Sequence, residues 1–484
     1  MPTSLLVKKP LSVLVGEAGD SEHSLKRTLG PGALVALGIG AIIGAGLFSL
    51  TGIAAANNAG PAVVYSFILA AFGCAFAGMC YSEFSTMIPI AGSAYTYAYA
   101  TMGELLAWII GWDLVLEYAV GAATVSISWS SYVVSLLHDF GIELPASLIA
   151  SPWQSVRLAD GTNVFGAINL PAVLIVSAIS ILLMVGIQES ARVNEVMVIL
   201  KVSVVVVFIL VGWRFMNPAN HTPMIPPNTG TFGEFGYSGI VRAAGVIFFA
   251  YIGFDAVSTA AQEARNPQKH MPIGIIGSLI VCTILYVAFA WVMTGLQPYT
   301  AFKGSAAPVA VAIAATPYAW LASLVKFAII CGYTSVILVM LLGQSRVFFS
   351  MSRDGLLPKM FSDVHPRFRT PWRSNLLFMV FVSLFSGFAP IAVVGEMTSI
   401  GTLLAFVIVC AGILVMRKTQ PDIRRPFRTP LVPLVPILGI LANFGLMLGL
   451  GIDNWLRLVI WMAIGLAIYF NYSRKRSKVR VLNL

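Results

Sequence analysis

The chain reads as an all-α polytopic membrane protein with about twelve transmembrane helices, and three observations lead there. Hydrophobic residues make up 58% of the 484 positions and charged residues 10%, with a mean hydropathy of +0.86. A soluble domain of that size has no way to hide so much apolar surface, so lipid is the solvent. Apolar stretches of bilayer length recur along the whole chain, parted by short polar segments. Finally, if both ends are cytoplasmic, 22 of the 30 Lys and Arg residues lie in the tails and inner loops. The outer loops hold only Arg157, Arg214 and Lys303. That bias sets both termini inside a cell membrane.

Residues 1–30 form a mixed, charged tail with no apolar core, so the first span serves as its own insertion signal. Six spans are expected near 31–56, 61–87, 104–136, 170–187, 194–214 and 239–262. Six more are expected near 272–296, 318–350, 375–393, 395–416, 430–451 and 454–472, before a basic tail at 473–484. Two of these spans are interrupted. Gly38 to Phe48 reads G-I-G-A-I-I-G-A-G-L-F, and Val246 to Ser258 reads V-I-F-F-A-Y-I-G-F-D-A-V-S. Glycine is a poor helix former, and an aspartate in hydrocarbon is costly without a partner or a task. Broken spans at matching places in two halves point to the binding site of a secondary transporter.

In the first break, Gly38, Gly40, Gly44 and Gly46 let the backbone open and free amide N–H groups, which suit a carboxylate. The same glycines also suit close helix packing, as Gly40 and Gly44 do at four-residue spacing. In the second, unwound carbonyls beside Phe248, Phe249 and Tyr251 can hold an ammonium group, with Asp255 as a ligand or as the cap of the following half-helix. A carboxylate site facing an ammonium site describes an α-amino acid. Lys201 interrupts the apolar run V-M-V-I-L-K-V-S-V-V-V-V-F, where a charge costs about 2.5–3.5 kcal/mol. Its expected partner is Glu117 in the third span, with Asp113 one turn earlier. Lys201 is then either a proton carrier or half of a static ion pair. Arg242, Lys326 and Glu83 lie nearer span ends and read as interfacial.

These motifs resemble the cationic amino acid transporter branch of the amino acid–polyamine–organocation superfamily along nearly the whole chain. The resemblance rests on residues 38–48, I-P-I-A-G-S-A-Y-T-Y at 88–97, F-F-A-Y-I-G-F-D-A-V-S-T-A-A-Q-E-A-R-N-P at 248–267 and M-S-R-D-G-L-L-P at 351–358. It implies a five-plus-five inverted repeat with spans 1 and 6 broken, the first repeat at 31–214 and the second at 239–416. Two extra helices at 430–472 would follow. It places a substrate carboxylate at the Ile42, Ile43, Gly44, Ala45 and Gly46 backbone. It places the amine at Phe249 and Ile252, near Asp255. It puts Lys201 where proton-driven members carry a lysine, so the coupling ion would be a proton rather than sodium, with Glu117 in support. Met340 falls at a pocket position that is small in cationic members, which shortens the pocket.

The expected function is proton-coupled import of small neutral amino acids such as alanine by alternating access, with no cofactor, metal or nucleic acid. Cationic substrates, obligate exchange and amino-acid sensing are the alternatives. A disulfide-linked heavy subunit is not expected, since residues 137–169 contain no cysteine. Sensing is disfavoured by tails too short for a signalling domain. Polar contacts among Glu263, Arg265, Asn266, Arg353 and Asp354 are expected to differ between transport states. The alternating Leu, Val and Lys of residues 4–15 suit either an amphipathic surface helix or a partner.

Overall fold

The computed structural model describes residues 5–10, 29–88, 93–157, 163–186, 191–259, 261, 264–305 and 307–481. Glu263, Ser4 and residues 11–15 therefore lie outside the described residues. Each of the twelve expected spans is helical. Span 1 runs Pro31–Ile42 and resumes at Gly46–Ala59, and spans 2 to 5 are Val63–Met87, Glu104–Asp139, Leu170–Val185 and Ala191–Phe215. Span 6 runs Gly236–Tyr251 and resumes at Ala256–Thr259. Spans 7 to 10 are Pro267–Leu296, Ala319–Arg353, Trp372–Phe388 and Ile391–Thr419, and spans 11 and 12 begin at Leu434 and Ile452. An antiparallel hairpin, Ser155–Arg157 with Asn163–Phe165, is built into the loop between spans 3 and 4.

Local chemistry explains several boundaries. Pro31 opens span 1 at a position where its missing N–H costs nothing. Span 4 starts where the Asn169 side chain accepts from the Ala172 amide and stops at Gly186 in the left-handed conformation. Span 3 contains a widened π-turn at Leu116–Val120, the kind of irregularity that gathers at functional sites. Span 7 packs on spans 1 and 2, span 8 on span 3, span 9 on span 4 and span 11 on span 10. Spans 1 and 6 thus sit inside the bundle. Outer spans turn Leu441, Leu448, Val459 and Ile460 towards lipid.

Both tails meet on one face. Residues 5–10 lie across the start of span 3, where Glu104 N–H donates to the Val7 carbonyl at 2.9 Å and Lys9 N–H to the Tyr99 carbonyl at 3.1 Å. Lys9, buried, pairs with Asp354 at 2.7 Å, and Tyr95 donates to the other Asp354 oxygen at 2.7 Å. Glu104 is wholly buried and accepts from Arg480 at 2.6 Å, Tyr469 at 2.9 Å, Tyr99 at 3.0 Å and Ser477.

The charged groups near span ends are engaged more deeply than residue type alone suggests. Glu83, near the end of span 2 as expected, is nevertheless fully buried, held by Arg417 at 2.9 Å, Arg425 at 3.3 Å and the Thr429 amide at 2.7 Å. The last turn of span 10 supplies Arg417, and the loop after it folds back over the end of span 2 to supply Arg425 and Thr429. Lys326 is likewise buried against Asp139 at 2.7 Å, whereas Arg242, paired with Glu396 at 2.6 Å, keeps partial exposure.

Candidate substrate site at the two broken spans

Span 1 opens where expected. Ile43 N–H makes the last bond of the first half-helix, to the Ile39 carbonyl at 2.9 Å, and Ile43 itself is extended. The next bond is Leu47 N–H to the Gly44 carbonyl at 3.2 Å. The Gly44, Ala45 and Gly46 amides therefore fall between two helical ladders, as free donors at a half-helix start do. Span 6 answers this with a tight turn at Phe248–Tyr251, an extended Ile252 and Gly253 at φ +118°. Only glycine adopts that last conformation without strain. A Cβ on Gly253 would also stand 2.8 Å from the Ala41 carbonyl.

The two breaks touch each other. Gly46 packs directly on the Ala250 backbone, with no room for a Cβ between them. Tyr286 of span 7 pins both: its hydroxyl lies 3.0 Å from the Ile42 carbonyl and 2.9 Å from the Ala250 carbonyl. One proton is thus shared between two unwound segments. Further hydroxyls flank span 1, with Tyr132 donating to the Phe48 carbonyl at 2.6 Å and Ser49 and Tyr333 at 2.9 Å.

Lys201 is brought to span 1 and not to Glu117. Its Nζ donates to the Gly40 carbonyl at 2.8 Å, two residues before the break, and its stem lies over Gly332 of span 8. The Glu117 and Asp113 carboxylate oxygens have no hydrogen-bond partner among the described residues. The expected Lys201–Glu117 pair is therefore not formed, because a backbone carbonyl exposed near the break takes the ammonium instead. Glu117 faces Asp255 and Thr402, and Asp255 accepts from Tyr118 at 3.2 Å. All three carboxylates are buried. The π-turn carries Glu117 and Tyr118 towards span 6 and is followed at once by Gly121. The Met340 sulfur would stand 3.3 Å from a Cβ on Gly121, and Thr398 of span 10 closes the same spot at 3.5 Å. Phe249, Ile252 and Met340 are all buried.

Residues 29–471 match the amino acid permease family. The chain belongs to that family. This permease is 46% identical over 99% of its length to the branched-chain amino acid permease BcaP of Bacillus subtilis, all of which is covered. It is 43% identical to the methylthioribose transporter of the same species, over 98% of this chain and 99% of the relative. A chloroplastic cationic amino acid transporter of Arabidopsis thaliana shows 36% identity, over 96% and 90% of the two chains. The permease is thus a multi-pass membrane transport protein of amino acid type, not an enzyme. The resemblance drawn from the four motifs holds.

Three contributors escaped the sequence reading. Tyr286 and Gly332 sit in apolar spans where they look like ordinary packing. Lys9 sits 345 residues from its partner Asp354, beyond any local pattern.

Proposed function

We propose that this permease imports neutral amino acids with small apolar side chains, alanine among them, by proton-coupled alternating access. The substrate carboxylate meets the Gly44–Gly46 amides and its ammonium meets the span 6 carbonyls near Phe249 and Ile252. The two repeats, 31–214 and 239–416, move against each other with the tails on the cytoplasmic side. The observation that carries the coupling is the Lys201 ammonium on the Gly40 carbonyl. A buried amine that can give up its proton there links its charge to the shape of the break. Asp255 beside Glu117 supports this, since two carboxylates out of water favour a proton or a cation between them. Met340 against Gly121 and Thr398 supports a short side chain, and the identity with a branched-chain permease supports an apolar one.

A second reading has its own observation. Asp113, Glu117 and Asp255 gather three carboxylates beside the broken spans, and such a cluster suits a cationic side chain. Uptake of labelled alanine, leucine and arginine into proteoliposomes separates the two. Alanine accumulation driven by an inward proton gradient, insensitive to sodium and lost in Lys201→Ala, is the expected result. Arginine accumulation alone would establish the cationic reading, and sodium dependence would remove Lys201 from the coupling step.

A further inference from the structure

Away from the substrate site, the face carrying the tails holds a second concave feature. A cavity of about 300 Å³ opens between the loop after span 8 and the C-terminal segment. Four exposed cationic residues line it: Arg353 and Lys359 from one wall, Arg476 and Lys478 from the other. None of these four forms an ion pair with a carboxylate among the described residues. Asp363 at the rim is already engaged by Arg373 at 2.8 Å. Elsewhere among the described residues Lys9, Arg417, Arg425 and Arg480 are each set on a buried carboxylate, and Lys326, Arg242, Arg373 and Arg457 are also paired with carboxylates. The convergence in this cavity is therefore not answered from within the described chain.

Solvated side chains spread apart when nothing holds them. Here the two walls are clamped by backbone. Ser473 donates to the Leu356 carbonyl at 2.7 Å, and the Lys478 amide donates to the Asp354 carbonyl at 3.0 Å. Gly355, at φ +82°, lies directly against the Arg476 carbonyl, an approach that leaves no space for a Cβ. Arg476 is further oriented by Tyr472, its carbon 4.6 Å from the ring centre and its Nη1 donating to the hydroxyl at 3.2 Å. Two guanidinium-bearing and two ammonium-bearing side chains rooted on clamped backbone around one concavity match the charge of a phosphate group.

We propose that this cavity binds a phosphate-bearing anion, either free in solution or as the headgroup of an anionic lipid. The bound anion bridges the span 8 loop to the C-terminal segment. Because the same loop carries Asp354 and the same segment carries Arg480, the occupant also tightens the closure of that face.

Two arms of one experiment separate the sources. Full-length protein in phosphatidylcholine nanodiscs is titrated calorimetrically with inorganic phosphate at constant ionic strength set by chloride. In parallel, native mass spectrometry counts phosphatidylglycerol retained after exchange into mixed nanodiscs. Saturable binding is expected in at least one arm, and that arm names the source. Arg353→Gln with Arg476→Gln is expected to weaken it about tenfold or more, equivalent to about 1.4 kcal/mol. Lys359→Gln, which leaves both clamps intact, is expected to weaken it more mildly and covers the case in which the double variant does not fold. Arg424→Gln, outside the cavity, is expected to leave it unchanged. Absence of saturable binding in both arms would overturn the proposal, as would binding equal in wild type and the cavity variants.

Discussion

Two groups of buried carboxylates sit in this protein under opposite rules. Glu83 and Glu104, at the face where the tails meet, are wholly enclosed and saturated: three donor groups hold the first and four hold the second. Glu117 and Asp113, beside the broken spans, are equally enclosed, and their oxygens have no donor among the described residues. Burying a charge costs several kcal/mol unless donors replace water. The first group is thus built for stability, and the second leaves polar atoms in want of a ligand or a proton. The difference teaches where to look for work: donor count, not burial, separates the two groups.

That contrast can be broken in four places, taken from the largest expected loss of stability to the smallest. Glu104→Gln leaves Arg480 buried without its counter-charge, and a destabilisation of about 3–5 kcal/mol is expected as a lowered melting transition. If the melting temperature stayed put, Glu104 would not belong with the carboxylates that carry stability. Gly46→Ala forces the two breaks apart at Ala250; a cost of about 1–3 kcal/mol is expected, together with loss of uptake. Tyr286→Phe removes one shared proton and is expected to cost about 0.5–1.5 kcal/mol while slowing uptake several-fold. Uptake kinetics and melting curves on the same preparation check both. Glu117→Gln is expected to change stability by about 0.5 kcal/mol or less, in either direction, because its oxygens make no close hydrogen bond among the described residues. Gradient-driven accumulation should nevertheless collapse, with exchange across equal pH preserved. A large stability loss in this variant would move Glu117 into the structural group.

Much of this architecture was legible from residue order. Hydropathy located the spans, and the glycines of 38–46 and 253 marked both breaks, because helix propensity is a local property that survives into the fold. Lys201 was rightly singled out as costly, yet its partner was misread: side-chain patterns reveal carboxylates, whereas a carbonyl exposed beside a break leaves no mark on residue type. Glu83 shows a related limit, since the donors that enclose it lie at the end of span 10 and in the loop beyond it, more than 300 positions away. Tyr286 illustrates the remaining limit. A tyrosine among apolar neighbours looks the same whether its hydroxyl meets lipid headgroups or two unwound strands of backbone.

The closure around Glu104 also has a calendar. Its carboxylate enters the membrane with the third span, yet Arg480 lies 376 residues further along and is translated only after the last span. Lys9 similarly waits 345 residues for Asp354. During synthesis both ionised groups must be sheltered by water, by the insertion machinery or by provisional neighbours. A ribosome that stalls before residue 480 therefore leaves an uncompensated charge at the start of span 3.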